Sequence, residues 1–109
     1  EKIHQVLINL LNNAYYELNR EVVNDKRLAI STKQVGGNAV IEVFNSGSEI
    51  APEHMGKIFD PFFTTKNPDE GTGLGLSISY MIINEHNGSL KAENLNNGVR
   101  FTVKLPLEK

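Results

Sequence analysis

From Ile3 to Leu18 the apolar residues return every three or four positions, whereas from Arg27 to Phe44, and again from Ser89 to Pro106, they alternate with polar ones. The first spacing is that of an amphipathic helix and the second that of half-buried strands. We read a helix over about residues 2 to 19, with Ile3, Leu7, Leu10, Ala14 and Leu18 on one stripe, closed by the polar stretch NREVVND. Strands follow over about 27 to 34 and 39 to 44, joined by a turn at Gly36-Gly37 with Asn38. A long loop then holds one short helix at about 52 to 58, which Pro52 can open. A second helix is expected over about 74 to 86, with Asn87 and Gly88 as its left-handed cap. SLKAENL and VRFTVKLP, on either side of an Asn-Gly turn, read as a second hairpin that Pro106 ends. This order predicts an α+β fold, a two-layer sandwich whose mostly antiparallel sheet carries its helices on one face and leaves the other to solvent.

Composition narrows the picture. At 109 residues, 39% apolar and 22% charged, the chain has the size of one domain, and dividing it would leave two undersized cores. The net charge of -2 is spread over mixed acidic and basic residues. There is no basic stripe for a nucleic acid and no cationic amphipathic helix for a lipid surface, so we expect neither partner. With no cysteine, disulfides and thiolate metal sites are excluded, and the cytoplasm is the expected compartment. No apolar run is long enough to cross a bilayer, and the start has no signal-peptide pattern. EKIHQVLINLL is helical by its third residue with no capping residue before it, so we expect a segment of a longer protein.

Four stretches offer chemistry. In the first helix Asn9 and Asn13 stand one turn apart on one flank of the apolar stripe, while Asn12 faces away. Two amide oxygens so placed suit a hard cation or a polar ligand, or are simply solvated amides at the core edge. DEGTGLGLSIS (Asp69 to Ser79) is a glycine-rich loop running into a helix. Such a segment lets backbone N–H groups and the positive end of a helix meet a phosphate, and Thr72 and Ser77 add hydroxyls; tight loop packing is the alternative. The spacing is neither the dinucleotide fingerprint nor a P-loop. In IFDPFFTTK (Ile58 to Lys66), Phe59, Phe62 and Phe63 plug the core or hinge a lid, and Lys66 meets a phosphate or solvent. In NSGSEI, Asn45 and Gly47 can present an amide and a backbone to a flat heterocycle, or form a plain turn.

Taken in order, NLLNNA, NSG, IFDPFFTTK and GTGLGLS resemble the asparagine, first glycine, phenylalanine and second glycine boxes of the ATP-binding domain of sensor histidine kinases. That domain has the Bergerat fold, shared with DNA gyrase, MutL and the cytosolic heat-shock chaperone. NGSLKAENLNNGVRFTVKLP is similar to its closing hairpin, so the resemblance covers nearly the whole chain.

The resemblance implies Mg-ATP as ligand. It makes Asn13 the residue that coordinates magnesium, with Asn9 beside it, and these two the catalytic pair. Hydrolysing relatives have a glutamate base where Asn9 stands; an asparagine cannot take that proton, which favours passing the γ-phosphoryl to another acceptor. Gly71, Thr72, Gly73, Leu74 and Gly75 are implied to cradle the phosphates, and Asn45 with Gly47 to hold adenine. Tyr16, Glu17, Ile50, Phe59, Lys66 and Leu76 complete the set implied to contact ATP, with TTKNPDEGTG as a lid. Asn45 departs from the family's usual aspartate, Glu49 from the second glycine of that box, and Tyr16 from a phosphate-facing lysine for which Lys66 is the substitute. The implied partners are a dimerisation domain bearing the acceptor histidine and a response regulator downstream. His4, His54 and His86 lack the acceptor's surrounding sequence. Alone, the domain is expected to be a monomer that binds ATP with little turnover, and to lack a strand that members carry before the first helix. Its rivals are a non-catalytic docking module of the same fold and a serine kinase or ATPase of the same superfamily. The missing carboxylate at Asn9 argues against an ATPase, and the phenylalanine box against a serine kinase.

Overall fold

The helical repeat of the N-terminal stretch forms α1 (Lys2–Arg20), and the alternating stretches form the hairpins β1 (Leu28–Val35) with β2 (Asn38–Ser46) and β3 (Ser89–Leu95) with β4 (Gly98–Pro106). Between the hairpins lie the short α2 (Pro52–Met55) and the longer α3 (Gly75–Glu85). The structure is a computed structural model that describes residues 2–20, 26–63 and 75–107. All three strand pairings are antiparallel, in the order β1-β2-β4-β3, so the hairpins are joined side by side through β2 and β4. The chain is therefore the expected α+β sandwich.

Strand alternation sets which residues face the helices. Val43 pairs with Phe101, and Ile41 with Val103. Together with Val99 and Leu90 they form the sheet side of a core closed by Val6, Leu10 and Ala14 of α1, Ile82 and Ile83 of α3, and Ile58. The opposite face is mostly polar, with Val40 and Phe44 as its apolar residues on β2. There Ser31 donates to Glu42 at 3.2 Å, Lys33 lies 3.8 Å from Glu42, and Arg100 lies 3.0 Å from Glu93. Helices α1 and α3 run antiparallel: Lys2 comes within 3.5 Å of Glu85 at one end, and Asn9 meets Gly75 at the other.

Several details differ from the sequence expectation. The fully buried line of α1 is Val6, Leu10 and Ala14, while Ile3, Leu7 and Leu18 are half-buried. The packing of α3 against the asparagine flank explains the rotation, because it covers that side of α1. Strand β2 continues through Ser46, since Asn45 and Ser46 still find partners in Val99 and Gly98. At the C-terminus of α3 only Asn87 is left-handed (φ 64), and the bonds from Gly88 N–H to Ile83 O (2.9 Å) and Asn87 N–H to Asn84 O (3.0 Å) make a Schellman cap. Gly88 is required instead by close packing: a Cβ there would lie 2.2 Å from Lys104 O. The second hairpin turns at Asn96-Asn97, and Gly98 is already a strand residue. The short helix ends at Met55 and continues as turns.

Candidate functional site

The asparagine flank of α1 faces the start of α3. Asn9 Nδ2 donates to Gly75 O and to Ser79 Oγ, each at 3.2 Å, and Asn9 Oδ1 accepts from Gln5 Nε2 at 3.0 Å. The amide thus ties the two helices together, and its oxygen keeps a second lone pair. Asn13 lies one turn further along the same flank and is half-buried, as are Tyr16 and Glu17, whereas Asn12 is exposed. At the head of α3, Gly75 is exposed and Leu76 packs partly against the core. Lys66, Gly71, Thr72, Gly73 and Leu74 lie outside the described residues.

A second polar group gathers where β2 ends. Asn45 shares the helix-side parity of Ile41 and Val43, yet it is an amide only 2% exposed, and its Nδ2 donates to Ser46 O at 3.2 Å. Ser46 anchors the segment before β1, its N–H donating to Arg27 O at 2.9 Å and its Oγ accepting from Arg27 N–H at 2.8 Å. Gly98 presses on this corner, since a Cβ there would stand 2.1 Å from Asn45 O. Gly47 then leaves the sheet with φ 128, a conformation that favours glycine, and Ile50 packs on the core.

The three phenylalanines divide. Phe59 stacks on Tyr80 (4.9 Å between centroids) and meets Phe101 edge-on (6.4 Å), and Phe63 meets the His54 ring edge-on at 5.2 Å. Both pack against the core, but Phe62 is 71% exposed with φ 68.

The sequence reading missed Ser79, Ser46 and Asn94. Ser79 is fully buried and accepts from Asn9 Nδ2. Its signal was a hydroxyl in the apolar stripe Leu76-Ser79-Ile83 of a helix. Asn94 had the equivalent signal in a strand, a polar residue at the inward parity of Leu90 and Ala92.

An α+β sandwich with an asparagine-bearing helix braced against the head of a second helix defines a domain class. The chain belongs to the family described as "Histidine kinase-, DNA gyrase B-, and HSP90-like ATPase", whose model matches residues 1–109. Membership of this family implies nucleotide binding. Among curated relatives, the chain is 40% identical over 98% of its length to the two-component sensor PprA of Pseudomonas aeruginosa. It is 38% identical, again over 98%, to the sensor histidine kinase ZraS of Salmonella typhimurium. It spans only 12% and 22% of the lengths of those two proteins. Among solved structures, the catalytic domain of histidine kinase ThkA superposes with a TM-score of 0.83 at 42% identity, covering 96% of this chain and 66% of that one. A structure of ThkA with the response regulator TrrA matches at 0.79 and 38% identity, covering 97% of this chain and 28% of that one. Among the described residues, no helix is long and apolar enough to cross a membrane.

Proposed function

We propose that the chain is the ATP-binding catalytic domain of a two-component sensor histidine kinase, which passes the γ-phosphoryl of Mg-ATP to a histidine on a separate dimerisation domain. The observation that carries this reading is the bond from Asn9 to Gly75 O and Ser79 Oγ, which sets the asparagine flank against the first turn of α3. A helix start offers unpaired N–H groups and partial positive charge, so a polyphosphate placed there meets donors on one side and the asparagines on the other.

The donor set fits magnesium. Among the described residues there is no cluster of three His, Cys, Asp or Glu that could hold a metal. Magnesium bound with a nucleotide needs little from the protein, since phosphate oxygens and waters fill most of its positions. Asn13, with Asn9 beside it, would supply the amide oxygen, and the ion would neutralise phosphate charge. Asn9 has no titratable proton, so it orients and cannot activate water. Transfer then rests on positioning. In this reading Lys66, Gly71, Thr72, Gly73, Leu74, Gly75 and Leu76 hold the phosphates, and Asn45, Gly47 and Ile50 face the base, with Tyr16, Glu17 and Phe59 completing the wall. The domain works in the cytoplasm, a monomer by itself, and a response regulator takes the phosphoryl group from the acceptor histidine.

Calorimetric titration with a non-hydrolysable ATP analogue tests this. The chain binds saturably, and Asn13→Ala weakens binding about tenfold with magnesium but less than about twofold without it, tenfold being about 1.4 kcal/mol. A folded chain that binds no nucleotide would instead be a docking module.

A further inference from the structure

We infer that Asn94 is a positioning residue for base recognition: it clamps the loop that follows β2 into one conformation before nucleotide arrives. The inference rests on the nucleotide reading given above. On β3 the inward positions are Leu90, Ala92 and Asn94, so the amide stands where alternation calls for an apolar side chain. Its two polar atoms both engage the backbone of Ile50. Oδ1 accepts from Ile50 N–H at 2.8 Å, and Nδ2 donates to Ile50 O at 2.9 Å, across 44 residues of sequence. This is the double exchange by which a residue in an antiparallel ladder holds its partner, here made by a side chain.

The other end of the loop is tied to the same hairpin. Gly47 N–H donates to Asn97 O at 2.9 Å, and the Ile50 side chain packs on the core. Residues 47 to 50 are thus fixed at both ends by the β3–β4 hairpin. A loop ordered in advance loses less conformational freedom when a ligand binds against it, so the clamp acts on affinity. Among the described residues, both hydrogen bonds of the Asn94 side chain go to Ile50 and none to α1 or α3, so the phosphate end is expected to be unaffected.

The test compares Asn94→Ala and Asn94→Asp with the unaltered chain by titration with an ATP analogue and with ADP, and by amide hydrogen exchange at Ile50. Asn94→Ala is expected to weaken both nucleotides five- to tenfold, to leave the ratio of ATP-analogue to ADP affinity unchanged, and to speed exchange at Ile50. Asn94→Asp still accepts from Ile50 N–H but sets an oxygen against Ile50 O, so it is expected to weaken binding while keeping that amide protected; it decides the matter if Asn94→Ala does not fold. Unaltered affinity in a folded variant overturns the inference, as does a loss that changes the ATP-to-ADP ratio. An unaltered chain that binds no nucleotide fails the reading of the site, and the clamp's role in base recognition falls with it.

Discussion

Hairpin β1–β2 turns through Gly36-Gly37 and hairpin β3–β4 through Asn96-Asn97, and both pair without a break along their length. Yet every residue of β1 is exposed, while β4 buries Val99, Phe101 and Val103. Position in the strand order accounts for the difference. β4 lies between β2 and β3, the strands over which α1 and α3 sit, whereas β1 is the edge that these helices barely reach; the other edge, β3, lies under α3 and buries Leu90. Ile30 shares the helix-side face with its partner Val43, but it is 54% exposed because the helix layer stops short of it. Alternation therefore records which face a residue takes, and not whether anything covers that face.

The strongest way to break this comparison is to truncate one apolar residue in each hairpin. Phe101→Ala removes a 3% exposed ring and its edge contact with Phe59, and should cost about 3–5 kcal/mol in urea unfolding. Ile30→Ala, on the uncovered edge, should cost less than about 1 kcal/mol. Similar losses at the two positions would mean that the sheet order does not decide burial.

Glycines give a sharper version. Gly98 lies where β2 and β4 approach so closely that an added Cβ would meet Asn45 O at 2.1 Å and Ser46 Cα at 2.8 Å. Gly37, in the other hairpin, has nothing within 4 Å. Gly98→Ala should lose about 2–3 kcal/mol through forced separation of the strands, read as a lowered melting temperature. Gly37→Ala should stay within about 0.5 kcal/mol. A tolerated Gly98→Ala would show that the corner at Asn45 can relax.

These pairs also mark what the sequence could reveal. The helix repeat predicts α1 and the two alternating stretches predict the four strands, because period is a local property of the chain. Asn87 as a helix cap and Asn9 with Asn13 on one flank follow from spacing too. The turn of the second hairpin does not. Asn97-Gly98 offers the usual turn signal, but Gly98 is used for close approach to β2, a neighbour fixed only by the nonlocal β2–β4 pairing. The same pairing extends β2 to Ser46 and turns Asn45 from a loop residue into a buried strand residue. Asn94 was hidden for a related reason, since its partner is 44 residues away. Polar residues at inward parities were visible in the sequence; what they bonded was not.

Asn45 lies where the two hairpins meet, opposite Leu28 on one side and Val99 on the other, and Asn45→Asp gives the smallest and most discriminating effect. The substitution removes the donor to Ser46 O and puts a carboxylate at a site only 2% exposed. Without nucleotide the variant should lose about 1–2 kcal/mol at neutral pH. Burial raises the folded-state pKa of a carboxyl above its unfolded value of about 4, so the unfolded chain gives up its proton first as pH rises. The loss therefore grows from about pH 4 upward through the folded pKa and shrinks again in acid, which melting curves at several pH values would follow. With an ATP analogue the sign reverses in the base-facing reading. A carboxylate accepting from the adenine amino group gains charge assistance, and affinity should rise about fivefold, close to 1 kcal/mol. A destabilised variant whose affinity does not rise would make Asn45 a buttress between the hairpins and move base recognition elsewhere along the loop.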